Sequence, residues 1–435
     1  MTSASTMDAL DVAHEAAALV PAAAELFAEL RTLSADGEGV TREAYGPRET
    51  AAQEVIARFA RNEGLDVARD GASNLVVALR GSEDDGRFLA VGSHLDSVPF
   101  GGNYDGAAGV VAGLLALVML RRSSVTPPRS VRLFALRAEE SAWFGKSWIG
   151  AHAMLGMLRD ADLAQRRADT GRALVDHLRD VGADVAALST RTPLVSREAV
   201  AAFVEVHIEQ GPVLEARRVP LGIVTSIYGN LRHRRIVCRG EAAHAGATPR
   251  ELRRDAAVAA ADFIVRLDAR WAEWLAAGRH ITVTHGVVGT DPREHAISRV
   301  AGAVDLSLEI RAEDAQTLRA FHELAREEAI QVSAARGVAF DFDDPIVNAP
   351  AAMEAAWVDR LEALCREERI ACLRMPSGAG HDAAVFAQAG IPTAMLFIRN
   401  QFGSHNPREA MGLTDFSLAL RVLVRALLAP VDDAR

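Results

Sequence analysis

The side chains best suited to chemistry are histidines and carboxylates, and they gather in four short stretches of the 435-residue chain. The first is Gly92-Ser93-His94-Leu95-Asp96-Ser97-Val98-Pro99, followed at once by Gly101-Gly102-Asn103-Tyr104-Asp105-Gly106. Imidazole and carboxylate together are ligands for borderline divalent ions. The second is Glu139-Glu140. Two adjacent carboxylates repel and need a proton or a cation between them. The third is Glu205-Val206-His207-Ile208-Glu209-Gln210-Gly211, in which alternation puts Glu205 and His207 on one face of a strand. The fourth is Gly403-Ser404-His405-Asn406-Pro407-Arg408-Glu409. Each has an ordinary reading as well. Strand-end polar residues cap helices and order loops, a Glu-Glu pair is commonly solvated, and a histidine before a turn commonly has no role.

Together the stretches say more than each alone. His94, Asp105, Glu140, His207 and His405 all fall at or near the ends of expected strands. Three imidazoles, one carboxylate and one further carboxylate able to bridge make a ligand set for two divalent ions. Such a pair lowers the pKa of a shared water and polarises a carbonyl oxygen. Glu139 would then take the water's proton and pass it to a leaving nitrogen.

The elements around these stretches must position them. Residues 8 to 64 read as helical, rich in Ala, Glu and Leu. Strands are expected at Asn74 to Leu79, Phe88 to Ser93, Ser130 to Arg137 and Val204 to Ile208. An apolar helix is expected from about Ala107 to Arg122, and helical segments over much of 147 to 190. Strands alternating with helices predict an α/β fold, a mixed sheet between helices. From about 213 to 330 the rhythm changes. A strand at Arg235 to Cys238 precedes the turn Gly246-Ala247-Thr248-Pro249 and a helix from about Arg250 to Trp274. Strands over 281–288 and 302–310 and a helix over about 313–336 follow. The first rhythm then returns, with a strand at Thr393 to Phe397 and a closing helix at Leu418 to Leu428. The expectation is a discontinuous catalytic domain, 1–212 with 330–435. Inserted in it is an α+β domain of four strands and two helices, 213–329.

Composition excludes several classes. Hydrophobic residues are 49% and charged residues 24%, ordinary for a globular chain. No apolar run reaches the roughly 18 residues of a membrane span, and no secretory signal is visible. The formal charge of −10 argues against nucleic-acid or anionic-membrane binding. Three cysteines without CxxC spacing give no disulfide frame and suit a reducing compartment, so a cytoplasmic protein is expected. Lys146 is the only lysine, and it lies outside any P-loop frame. Schiff-base enzymes and P-loop NTPases, which need a lysine in a defined motif, are thereby disfavoured.

In order, GSHLDS, GGNYDG, EE, HIEQG, GxxxHAGxTP, SGAGHDA and SHNPxE resemble the M20 metallopeptidase superfamily over about residues 40 to 415. Within it the chain is similar to the amidohydrolase branch: N-carbamoyl-L-amino acid hydrolase, β-ureidopropionase and allantoate amidohydrolase. The resemblance implies that His94, Asp105 and His207 hold one ion and that Asp105, Glu140 and His405 hold the other. Zn, Mn, Co or Ni would all suit. Asp96 would orient a ligand and Glu139 would be the general base. His244 would reach the partner subunit's active site and help stabilise the oxyanion, which implies a homodimer with the inserted domain as lid and dimer contact. Arg311 would bind the substrate carboxylate, a task for a guanidinium fork. Gln210 would be a polar substrate contact, with Ser377, Gly378 and His381 on a loop near the pocket.

Departures from the family pattern touch the substrate side. At Ser298 relatives usually carry Asn, whose longer side chain ends in an amide with two N–H donors. After Glu139-Glu140 the family often has Gly-Ser-Arg-Phe, where this chain has Ser141-Ala142-Trp143-Phe144, and the usual Met after Thr-Pro is Arg250. The expected reaction is hydrolysis of a linear C–N amide in an N-carbamoyl amino acid. Alternatives are allantoate or N-carbamoyl-β-alanine hydrolysis, a peptidase activity, or a non-catalytic binding protein.

Overall fold

A computed structural model describes residues 9–83 and 85–429. Two compact units divide the chain: one of residues up to Thr225 with Met353–Met375 and His381 onward, the other of Ser226–Ala352 with Pro376–Gly380.

The larger unit is built on a mixed sheet. Its strands lie in the order Leu221–Ile227, Thr393–Ile398, Val200–Ile208, Phe88–His94, Ser130–Leu136, Leu75–Leu79, Asp66–Arg69. The middle four are mutually parallel, and antiparallel strands flank them. Every residue of Phe88–His94, Val200–Ile208 and Thr393–Ile398 is buried. Parallel strands covered on both faces carry such continuous apolar runs. The helix Ala107–Arg122, buried from Ala107 to Leu120, packs on this sheet. Gly109 lets it approach, since a Cβ there would lie 1.9 Å from the Val206 carbonyl oxygen.

The N-terminal stretch differs from the helical run expected over 8–64. Helices cover Ala9–Ala18, Val20–Ser34 and Pro47–Asn62, but residues 35–46 are not helical, with a small antiparallel pairing of Ala35–Asp36 with Gly39–Val40. Gly37, at φ 57°, makes the turn. Pro47 starts the next helix, where its missing N–H costs nothing.

The smaller unit has an antiparallel sheet in the order Ile281–Thr284, Ala303–Ala312, Gly229–Arg239, Ala339–Phe342. Short strands Val288–Gly289 and Ile346–Asn348 are added to it. Strand Ala303–Ala312 alternates strictly: Val304, Leu306, Leu308, Ile310 and Ala312 are buried, and Asp305, Ser307, Glu309 and Arg311 face the other way. Helices Ala256–Ala276 and Ala315–Arg336 cover the apolar face through Phe263, Leu267, Phe321 and Val332. Each has an aspartate cap, Asp255 accepting from Ala257 and Val258 N–H and Asp314 from Thr317 N–H.

This unit begins at Ser226 rather than at 213, because the strand Leu221–Ile227 pairs with Thr393–Ile398 in the large sheet. It extends past 329, because the helix ending at Arg336 leads into two strands that pair with Gly229–Arg239.

Candidate metal centre

Parallel strands end on the same edge of a sheet, and that edge is where sites are built in open α/β sheets. His94 is the last residue of its strand, and His207 is the penultimate residue of the neighbouring one. Glu139 and Glu140 follow the strand Ser130–Leu136. Asp105 sits on the loop between Phe88–His94 and its following helix, and His405 on the loop after Thr393–Ile398.

Their side chains converge. One group able to hold a metal ion is His94, Asp105 and His207; another is Asp105, Glu140 and His405, with ligand atoms within 4.8 Å of one another in each. Asp105 Oδ1 lies 3.4 Å from His94 Nε2 and 3.3 Å from His207 Nε2. His405 Nε2 is 3.5 Å from Asp105 Oδ2 and 3.2 Å from Glu140 Oε1. The rings are pre-oriented. His207 Nδ1 faces Ile208 O at 2.9 Å, and His94 Nδ1 faces Asp96 O at 3.1 Å. With Nδ1–H donated to a carbonyl, Nε2 is left as the ligand atom, the usual arrangement at metal-binding histidines. Gly106 is at φ 65°, and a Cβ there would fall 2.5 Å from His94 Nε2, so only glycine leaves this ring room. Asp105 Oδ1 is buried yet has no hydrogen-bond partner. Such an orphaned carboxylate oxygen facing two ring nitrogens is what a cation would satisfy.

The electrostatics agree. Burial alone would raise the Asp105 carboxyl, but the imidazoles of His207, His405 and His94 hold it well below the usual range. Burial opposes charge on His94, yet Asp105, Asp96 and Glu139 together hold it well above the usual value. The carboxylates Asp105 and Glu140 push His405 up to about 11. Burial, opposed by His94 and reinforced by Glu140, Asp382 and Asp96, pushes the Glu139 carboxyl well up. Buried acids and imidazoles here offset one another's charge, a role that a divalent cation held among them would take over. The donor set of imidazoles and carboxylates fits such an ion.

The remaining residues of this unit support the cluster. Asp96 Oδ1 and Oδ2 accept the backbone N–H groups of Glu139 and Glu140, each at 3.0 Å. Gln210, at φ 64°, donates its side-chain amide to Asp105 Oδ2 at 2.7 Å. His381 is buried beside His207, with ring centroids 4.6 Å apart, and burial holds it well below the usual imidazole value. Glu205, His207 and His381 form a third group of possible ligands, but both Glu205 oxygens are engaged, by Ser93 Oγ and Ala383 N–H. Trp143 is buried, and its indole donates to Ser97 O at 2.8 Å.

The smaller unit holds the other expected residues. His244 is exposed, and its Nδ1 accepts from Gly246 and Ala247 N–H at 3.1 Å each. Arg311 donates to Gly378 O at 2.7 Å and lies 3.1 Å from Glu309 Oε1. Ser377 Oγ bonds Ala379 O within its own turn. Ser298 is exposed, and its carbonyl accepts from Ala245 N–H at 2.7 Å.

Several supporting residues escape sequence reasoning. Arg42, fully buried, donates to Leu95 O at 2.6 Å and to Asn103 Oδ1 at 3.1 Å, fastening the loops of His94 and Asp105 together. Glu49 pairs with buried Arg137 and accepts from Ala138 N–H. Glu409 accepts from the N–H groups of Tyr104 and Asp105 and from Ser404 Oγ, joining the Asp105 and His405 loops. Asp382 is buried with neither carboxylate oxygen hydrogen-bonded. Glu409 and Asp382 stand inside quoted motifs, a signal that could have found them; Arg42 stands in none.

Comparison with known proteins places this geometry. Residues 90–429 match the model of peptidase family M20/M25/M40. The chain is 32% identical over 402 residues to an N-carbamoyl-L-amino-acid amidohydrolase of Paenarthrobacter aurescens, covering 92% of this chain and 95% of that protein. It is also 32% identical over 390 residues to an allantoate amidohydrolase of Escherichia coli strain K12, covering 89% and 92%. A crystal structure of a hydantoinase/carbamoylase family amidase from Burkholderia ambifaria superposes with a TM-score of 0.83 at 30% identity, covering 93% of this chain and 96% of that one. The chain belongs to peptidase family M20/M25/M40 and is a hydrolase of its amidohydrolase branch.

Proposed function

We propose that the protein hydrolyses the linear C–N amide bond of an N-carbamoyl amino acid, with two divalent ions per chain. The observation that carries this is Asp105, a buried carboxylate shared by two ligand groups with Glu139 beside them. His94, Asp105 and His207 would hold one ion; Asp105, Glu140 and His405 the other. Zn, Mn, Co and Ni all suit this donor set. When bound, such ions supply Lewis-acid polarisation of a carbonyl and make water a better nucleophile near neutral pH.

The chain's own groups do the rest. Glu139, buried next to Glu140, accepts a proton from the attacking water and returns it to the leaving nitrogen. Asp96 holds the backbone of Glu139 and Glu140, so that both carboxylates keep one geometry. Arg311 offers a fork to the substrate carboxylate, already set in direction by Glu309 and Gly378. His244, exposed and with Nδ1 occupied, presents Nε2 as the donor that would serve a partner subunit's oxyanion in a homodimer. Water adds to the ureido carbonyl and the C–N bond to the amino acid breaks. The amino acid leaves with the proton from Glu139, and the carbamic acid decomposes to carbon dioxide and ammonia.

A second reading, hydrolysis of allantoate, is favoured by the equal identity to the Escherichia coli enzyme of that name. The deciding experiment is a hydrolysis panel after loading with Mn, Zn, Co or Ni. N-carbamoyl, N-formyl and N-acetyl amino acids, N-carbamoyl-β-alanine, allantoate and dipeptides are compared. The highest kcat/KM is expected on an N-carbamoyl amino acid. A preference for dipeptides would overturn the reading, and a preference for allantoate would replace it with the second.

A further inference from the structure

Glu139 is held by more than its own strand. Trp148, nine residues further along the chain, donates its indole N–H to Glu139 Oε1 at 2.7 Å. The backbone ties the same two residues. Trp148 N–H donates to Glu139 O at 2.8 Å, Ile149 N–H to Ala138 O at 2.9 Å and Gly150 N–H to Arg137 O at 2.9 Å. The chain thus leaves the sheet, turns through the short helix Ser141–Phe144, and folds back along residues 137–139.

Two non-glycine residues in this clasp have left-handed backbone, Ala138 at φ 53° and Trp148 at φ 60°. That conformation is costly for a bulky residue and persists where the surroundings enforce it, often at functional sites. From the far side, His152 N–H donates to Trp148 O at 2.9 Å, and His152 Nδ1 lies 2.9 Å from the same oxygen. Trp148 is therefore fixed on both flanks, with its one polar atom aimed at a carboxylate.

The last torsion of a glutamate is broad and nearly two-fold, so an unsupported carboxylate swings and offers either oxygen. An indole N–H is a donor only and makes one hydrogen bond. By occupying Oε1 it settles which oxygen is free and where its lone pair points. A proton transfer depends on that direction, and small misplacements cost rate steeply.

We propose that Trp148 is a positioning residue for Glu139, reserving Oε2 as the oxygen that exchanges the proton. The proposal rests on the reading of Glu139 as general base. It adds to that reading a residue from outside the motifs quoted above.

Trp148→Phe keeps an aromatic ring and removes the donor. Trp148→His restores one, since a flipped imidazole can overlay its Nε2 on the indole nitrogen. Steady-state kinetics on the best substrate of the panel, with metal content and melting temperature as controls, are measured for both variants and for Glu139→Gln. The expected result is a kcat about tenfold lower in Trp148→Phe, with KM within about twofold, unchanged metal content, and partial recovery of kcat in Trp148→His. A wild-type kcat in Trp148→Phe, a loss confined to KM, or equal losses in the two Trp148 variants would overturn the proposal. If Glu139→Gln turns over like wild type, the base reading itself fails. If Glu139→Gln is inactive while Trp148→Phe is fully active, only the role of Trp148 fails.

Discussion

The sheet edge of the larger unit and the polar residues of the smaller unit are built differently. At the edge, His94, Asp105, Glu140 and His207 are buried, with Asp105 3% and His207 0% exposed, while His405 at the rim is exposed. Each is held by a second polar group: Asp96 under the two glutamates, Gln210 on Asp105, Arg42 and Glu409 between the loops. Positive φ recurs there, at Ala138, Gln210 and His405. In the smaller unit His244 and Ser298 are exposed, and Arg311 lies on the sheet face opposite the helices. Under the proposed function, the chemistry that needs fixed geometry falls on strand ends and recognition on surface positions, the division that rigid scaffolds favour. The two regions should therefore respond differently to substitution.

Glu139→Gln should show the largest effect, a loss of kcat of about 10³-fold or more with metal still bound. Asp96→Asn comes next. An amide cannot accept from both backbone N–H groups, so metal affinity or activity should fall about 10–100-fold, read by competition with a chelator. Arg311→Lys should raise KM about tenfold for substrates with a free carboxylate, since a single ammonium replaces a fork. Metal content should not change; if it fell as far as in Asp96→Asn, the contrast between the two regions would collapse.

The smallest effect concerns stability. Burial, with the charge of Lys146, pushes His152 down to about 4. The folded protein keeps this ring neutral while the unfolded chain protonates it below about 6.5. Its contribution is present in full above that pH and is lost progressively as pH falls toward 4. His152→Gln should flatten the fall in melting temperature between pH 7 and 5; an unchanged slope would contradict the assignment.

Much of the edge is legible in the sequence because its signals are local. The buried parallel strands are apolar runs ended by His94 and Ile208, and the apolar helix Ala107–Arg122 has the expected bounds. Arg42 is not legible. Its partners lie 53 and 61 residues away, and nothing in its neighbourhood marks a buried guanidinium. The break at 35–46 was hidden for a related reason, since a helix-rich composition on both sides outweighs the local effect of Gly37, Gly39 and Pro47. Trp148 shows the same limit: its partner is near in sequence, but the left-handed turn that brings them together is set by surrounding packing. The unit boundary at Ser226 depends on strand pairing, which no local pattern reveals.

The most direct test of the central claim is the divalent-ion content of the loaded protein, by plasma mass spectrometry, in wild type and Asp105→Asn. The account predicts two ions per wild-type chain and loss of both, together with turnover, in the variant. Full turnover by metal-free wild type, or two ions retained by Asp105→Asn, would contradict it.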